Sequence, residues 1–88
     1  MASDRVLDLY IRGVDACRRQ DQREAMGVVK ELMDNLDLDF GDAASGLFRL
    51  YDEAFRHARN ARFGRALLIL TALRDAYAGV SVPASVSS

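Results

Sequence analysis

Residues 43 to 59 read AASGLFRLYDEAFRHAR, and their spacing points to an all-α chain. Ala44, Leu47, Phe48, Tyr51, Ala54, Phe55 and Ala58 recur at intervals of three and four, while Arg49, Asp52, Glu53, Arg56 and Arg59 fall between them. A repeat near 3.6 places the apolar set on one face and the charged set on the other, the pattern of an amphipathic helix in a bundle.

On either side the same spacing returns. Over roughly 3 to 19, Leu7, Tyr10, Val14 and Cys17 form one stripe, widened by Val6, Leu9 and Gly13. Ser3 is the expected N-cap there, with Asp4 just inside, where a negative charge suits the helix dipole. A second segment, about 22 to 38, follows Asp21, whose carboxylate is placed to cap while Glu24 reaches back; its stripe is Ala25, Val29, Leu32 and Leu36. The stretch DNLDLDFGDAASG, residues 34 to 46, breaks the pattern. Gly41 is the expected stop for the second helix or its short extension, and Asp42 the expected N-cap of the third. Asn60 is the expected left-handed residue after the third helix, and a fourth runs from 62 to 79. Its centre, Ala66 to Leu73, is apolar almost all round, so some of Leu68, Ile69 and Ala72 are expected at the surface of so small a bundle.

Four matched helices with short connections predict an antiparallel up-down-up-down four-helix bundle over residues 1 to 79, with 80 to 88 a flexible tail. Two helical hairpins that complete a core by dimerising are the alternative architecture.

The chain has 88 residues, half of them apolar, with 12 basic and 13 acidic side chains and a net charge of −1. One domain is all this length allows. Cys17 is the single cysteine, so no internal disulfide and no cysteine zinc site form. The charge balance argues against a strongly basic nucleic-acid binder, and the apolar fraction against disorder. No apolar run approaches the roughly 20 residues that span a bilayer, and MASDRVLDLY lacks the pattern of a secretory leader. A cytoplasmic location is expected.

Candidate chemistry is sparse. Asp37, Asp39, Gly41 and Asp42 suggest a calcium loop, but counted from Asn35 the sixth position is Phe40 and the twelfth Gly46, where glycine and glutamate are required. Turn formation accounts for these aspartates. His57 has no nucleophile or orienting group at a telling spacing and reads as solvent-facing, and Cys17 lies on an apolar stripe as a small core residue. Arg56, Arg59, Arg62 and Arg65 gather near the turn before the fourth helix, where the helix dipole favours cations; nucleic-acid binding through them is the least favoured expectation. No metal, cofactor or catalytic residues are assigned, and the expected role is binding.

The stretch ELMDNLDLDFGDAASGLFRLYD, residues 31 to 52, together with Leu73-Arg74-Asp75-Ala76-Tyr77 and the early Leu7-x-Leu9-Tyr10, resembles flagellin-specific export chaperones of the FliS type. In that family a Leu-Asp turn, here Leu36-Asp37, leads through an acidic glycine-containing loop to Leu-x-x-Leu-Tyr-Asp, here Leu47, Leu50, Tyr51 and Asp52. Both hairpins are shorter than is usual there, and Ile11 follows Tyr10 where an acidic residue is usual.

The resemblance implies a bundle that holds the disordered C-terminal part of flagellin, keeps it from polymerising early and delivers it to the type III export gate. Grooves between helices suit a client that folds as it binds. Contact is expected through Leu7, Tyr10, Val14, Leu68 and Ile69, with Tyr51 lining a groove. The alternative is a small dimerisation or regulatory module that pairs with its own copy through the fourth helix.

Overall fold

A computed structural model describes residues 5–36 and 41–81, with side chains to Gly79. Four helices follow one another: α1 (Arg5–Arg18), α2 (Gln22–Asp34), α3 (Asp42–Arg59) and α4 (Phe63–Ser81). The described residues are thus all-α, as the spacing predicts. α1 packs chiefly on α2 and α4, and α3 on the same two neighbours. Between α1 and α2, Arg5 meets Glu31 at 2.8 Å and Arg12 meets Glu24 at 3.3 Å, so numbering rises along one helix as it falls along the other.

The connections differ from the sequence expectation in detail. Asp21 caps α2 by accepting the Glu24 N–H at 3.1 Å, but the Glu24 carboxylate turns to Arg12 and does not reach back. α2 stops at Asp34, short of 38: Asn35 donates from its backbone and its amide to the Glu31 carbonyl, and the Leu36 N–H turns to the Met33 carbonyl three residues back at 3.2 Å. Gly41 does not end α2. It precedes α3 with φ at 81°, a conformation open to glycine and strained for other residues, and its carbonyl receives the Ser45 N–H; Asp42 is therefore the first helical residue and not the cap. Ser3, Asp37 and Asp39 lie outside the described residues. α4 continues past Gly79 to Ser81, two residues beyond the expected boundary, and residues 82 to 88 of the expected tail lie outside.

Two of the turns are built alike. After α1, Gln20 takes φ 56°, its N–H meets the Cys17 carbonyl at 3.1 Å, and the Asp21 N–H meets that of Ala16 at 2.9 Å. After α3, Ala61 takes φ 59°, its N–H meets the Ala58 carbonyl at 3.0 Å, and the Arg62 N–H meets that of His57 at 2.8 Å. Both are Schellman turns, in which a left-handed residue lets the last carbonyls of a helix find donors. Asn60 is thus not the left-handed residue. It stays near the helical region at φ −96° and donates its amide to the Arg56 carbonyl, and the reversal falls one residue later.

Residue for residue, the first hairpin matches the second at a separation of 41. Tyr10 corresponds to Tyr51, Gly13 to Ala54, Cys17 to Ala58, Ala25 to Ala66 and Val29 to Leu70, and all ten are buried. Glycine or alanine at five of these ten places lets the helices approach closely. At Gly13 a β-carbon would stand 3.0 Å from Leu70 Cδ1 and 3.2 Å from Val28 Cγ1, so α1 meets both of its neighbours there. Leu9, Val14, Val28 and Leu32 complete the larger side chains of the core.

Candidate functional site

Tyrosines from three helices meet: Tyr10 of α1, Tyr51 of α3 and Tyr77 of α4. The Tyr10 and Tyr51 hydroxyls, both buried, are 2.6 Å apart and either can donate. Their ring centres lie 6.3 Å apart, and Tyr77 of α4 packs its ring edge-to-face on Tyr10 at 5.8 Å. Such tilted contacts suit the quadrupoles of aromatic rings.

Above these rings opens a hollow of about 190 Å³. Three matched pairs line it, Val6 with Leu47, Tyr10 with Tyr51 and Leu36 with Tyr77, and Leu32 and Asn35 close one side. Each member of a pair stands 41 residues from the other, so the hollow lies where the two hairpins mirror each other. Small-molecule sites are typically about 300 to 1,000 Å³, so this space suits one apolar side chain better than a metabolite.

Burial disfavours a phenolate, and it is the main cause of a raised pKa at both Tyr10 and Tyr51. The shared hydrogen bond adds to the rise at Tyr51 and works against it at Tyr10. Both groups are neutral at physiological pH and their polar atoms satisfy each other, which leaves an almost wholly apolar wall to the hollow. Nothing in this set provides a nucleophile or a base.

The sequence-derived contact residues separate. Tyr10 and Tyr51 come together under the hollow. Val14 is buried in the core, because it faces the interior between α1's two neighbours, and presents no surface. Leu7 is half-buried and does not line the hollow. Ile69 is half-buried and packed against the core, whereas Leu68 is 72% exposed. Ala72 is exposed as well, so the surplus apolar surface of α4 is divided between the core and the outside. Sequence reasoning missed Val6, Leu32, Leu36, Leu47 and Tyr77 as a set; the signal lay in the 41-residue register.

His57 is not simply solvent-facing. Half-buried, it accepts at Nδ1 from Arg62 Nε at 3.1 Å. Cys17 is buried and its thiol pKa is pushed up by that burial. Among the described residues no group of three or more His, Cys, Asp or Glu side chains is arranged to hold a metal ion, and no helix is long and apolar enough to cross a membrane. Comparisons with protein-family models, curated proteins and solved structures find no match to this chain.

Proposed function

We propose that this chain is an antiparallel up-down-up-down bundle that acts in the cytoplasm as an export chaperone for flagellin or a flagellin-like client. It would hold the client's disordered C-terminal region, prevent early polymerisation and hand the client to the type III export gate. One observation carries the reading: the tyrosines of the three resembling motifs, Tyr10, Tyr51 and Tyr77, converge on one apolar hollow. An amphipathic client segment anchors an apolar side chain there and continues over exposed apolar residues such as Ile11, at 49% exposure, and Leu68.

Titration calorimetry of the purified chain with a flagellin C-terminal peptide tests this. Binding at or below tens of micromolar is expected, weakened by Tyr77→Ala at the hollow. Absence of binding at that concentration overturns the proposal. Self-association through α4 is the competing reading, favoured by the exposure of Leu68. Sedimentation separates the two, since a tight dimer that Leu68→Asp dissociates supports self-association and a stable monomer supports the chaperone.

A further inference from the structure

The two like-built turns share one end of the molecule. Gln22, the first residue of α2, donates from Nε2 to the carbonyls of Ala58 and Arg59 at the end of α3, at 3.1 and 2.7 Å. In charge, however, the turns differ, one neutral and the other basic. Residues 15 to 25 balance Arg18, Arg19 and Arg23 against Asp15, Asp21 and Glu24. These acids are occupied: Arg19 pairs with Asp15 at 2.8 Å and with Asp21 at 3.4 Å, and Glu24 pairs with Arg12. At the matching positions of the second turn, Asp15, Asp21 and Glu24 become Arg56, Arg62 and Arg65, and Arg59 makes a fourth. Residues 56 to 66 contain no acid.

This end therefore holds seven arginines against three acids, a net charge of +4. With −1 for the whole chain, the remainder carries −5. A nearly neutral total hides a polarised molecule. Among the described residues Arg56 pairs with Asp52 at 3.3 Å, while Arg59 and Arg65 have no acidic partner. Arg62 is tied to His57 through its backbone N–H at 2.8 Å and its Nε at 3.1 Å, and both residues border a polar hollow of about 370 Å³.

The fold does not call for arginine at 56, 62 and 65, because the first turn has the same backbone with Asp15, Asp21 and Glu24 at the matching places, while Arg59 matches Arg18. Arginine at position 62 even gives up the side-chain cap that Asp21 supplies to α2. We infer that this arginine end docks an acidic peptide segment of a partner protein, whose carboxylates bind Arg59, Arg62 and Arg65. Forked guanidinium groups suit carboxylates, and an uncompensated basic patch steers them in. Nucleic acid is the less suited ligand. The three tyrosines that bases would stack on lie at the far end, and Asp15, Asp52 and Glu53 flank the patch. The inference stands apart from the client-binding proposal, which concerns the opposite end.

Fluorescence anisotropy with the full chain tests it, using a labelled peptide of alternating glutamate and aspartate, its glutamine and asparagine counterpart, and an oligothymidylate. At low salt the acidic peptide is expected to bind and its neutral counterpart not, and about 0.5 M salt should weaken binding at least tenfold. The double variant Arg59→Glu, Arg65→Glu should lose about tenfold with unchanged circular dichroism, and Arg5→Glu, at the other end, no more than about twofold. Tighter binding of the oligothymidylate, equal loss in the Arg5 variant, or no binding of the acidic peptide at about 1 mM overturns it.

Discussion

Tyr10 and Tyr51 stand at matching places in two hairpins, and their hydroxyls bond to each other at 2.6 Å inside the bundle. Each phenol thereby gives the other a hydrogen-bond partner, at the place where the hairpins meet and beneath the apolar hollow. This bond joins α1 to α3 across the core.

Removing one hydroxyl leaves the other buried without this partner. Tyr10→Phe and Tyr51→Phe should each cost about 1 to 2 kcal/mol, and the double variant clearly less than the sum, because losing both partners removes the stranded group. Urea unfolding of the four proteins gives the cycle. Strict additivity would contradict the coupling.

Alkaline pH should destabilise the fold. Burial raises the folded-state pKa of Tyr10, Tyr51 and Cys17 above the unfolded values, so their neutral forms favour the native state. That stability is whole below the unfolded values, roughly 8.5 for cysteine and 10 for tyrosine, and is lost as pH rises toward the folded ones. The urea midpoint should therefore fall above about pH 9, with Cys17→Ala removing the lower part of the fall and the double Tyr→Phe variant the upper. A midpoint that holds steady from pH 8 to 11 would refute this.

Gly13 sits where α1 touches both neighbours. Gly13→Ala gains up to about 1 kcal/mol of helix propensity but must displace Leu70 and Val28 methyls in a filled core, and a net loss of about 1 kcal/mol is expected. For a chain of this size that lowers Tm by about 4 to 8 °C. Gly13→Leu should cost several times more, and a calorimetric scan in which either variant melts higher would show that α1 has room to move.

Gln20 and Ala61 hold left-handed φ values without being glycine. Gln20→Gly and Ala61→Gly should each stabilise the protein by about 0.5 to 1 kcal/mol, since the β-carbon penalty disappears. Ala61→Val should do the reverse, because branching at Cβ worsens the same clash. Chemical denaturation reads both signs.

Much of this was legible in order of sequence. The interval of three and four residues located every helix, and α3 lies within one residue of its expected span. Asp21 showed itself as a cap because its side chain acts on a backbone N–H three residues away. Local chemistry of that kind needs no tertiary partner. Asn60 misled for the same reason, since its local preference suits a left-handed turn while the geometry of the hairpin sets the reversal at Ala61.

The candidate site was legible only in part. Tyr10 and Tyr51 stood out as aromatics on apolar stripes, but whether a stripe faces a core or a client depends on what lies opposite. On α1 the pattern emphasised Leu7, whereas Leu9, Gly13 and Ala16 are buried beside Tyr10, Val14 and Cys17. α1 packs on two helices at once, so its buried sector is wider than one stripe, and glycine and alanine at a close approach leave little trace in hydropathy.

Sequence by itself determined four helices, the Asp21 cap and an apolar surplus in the last of them, because helical period and such capping act within a few residues. Tertiary structure alone decided that Val14 and Ile69 serve packing while Leu68 faces outward. It also decided that three distant tyrosines share one hollow and that the arginines of two separate turns share one end, because such meetings depend on how the two hairpins pack together and no local pattern records that.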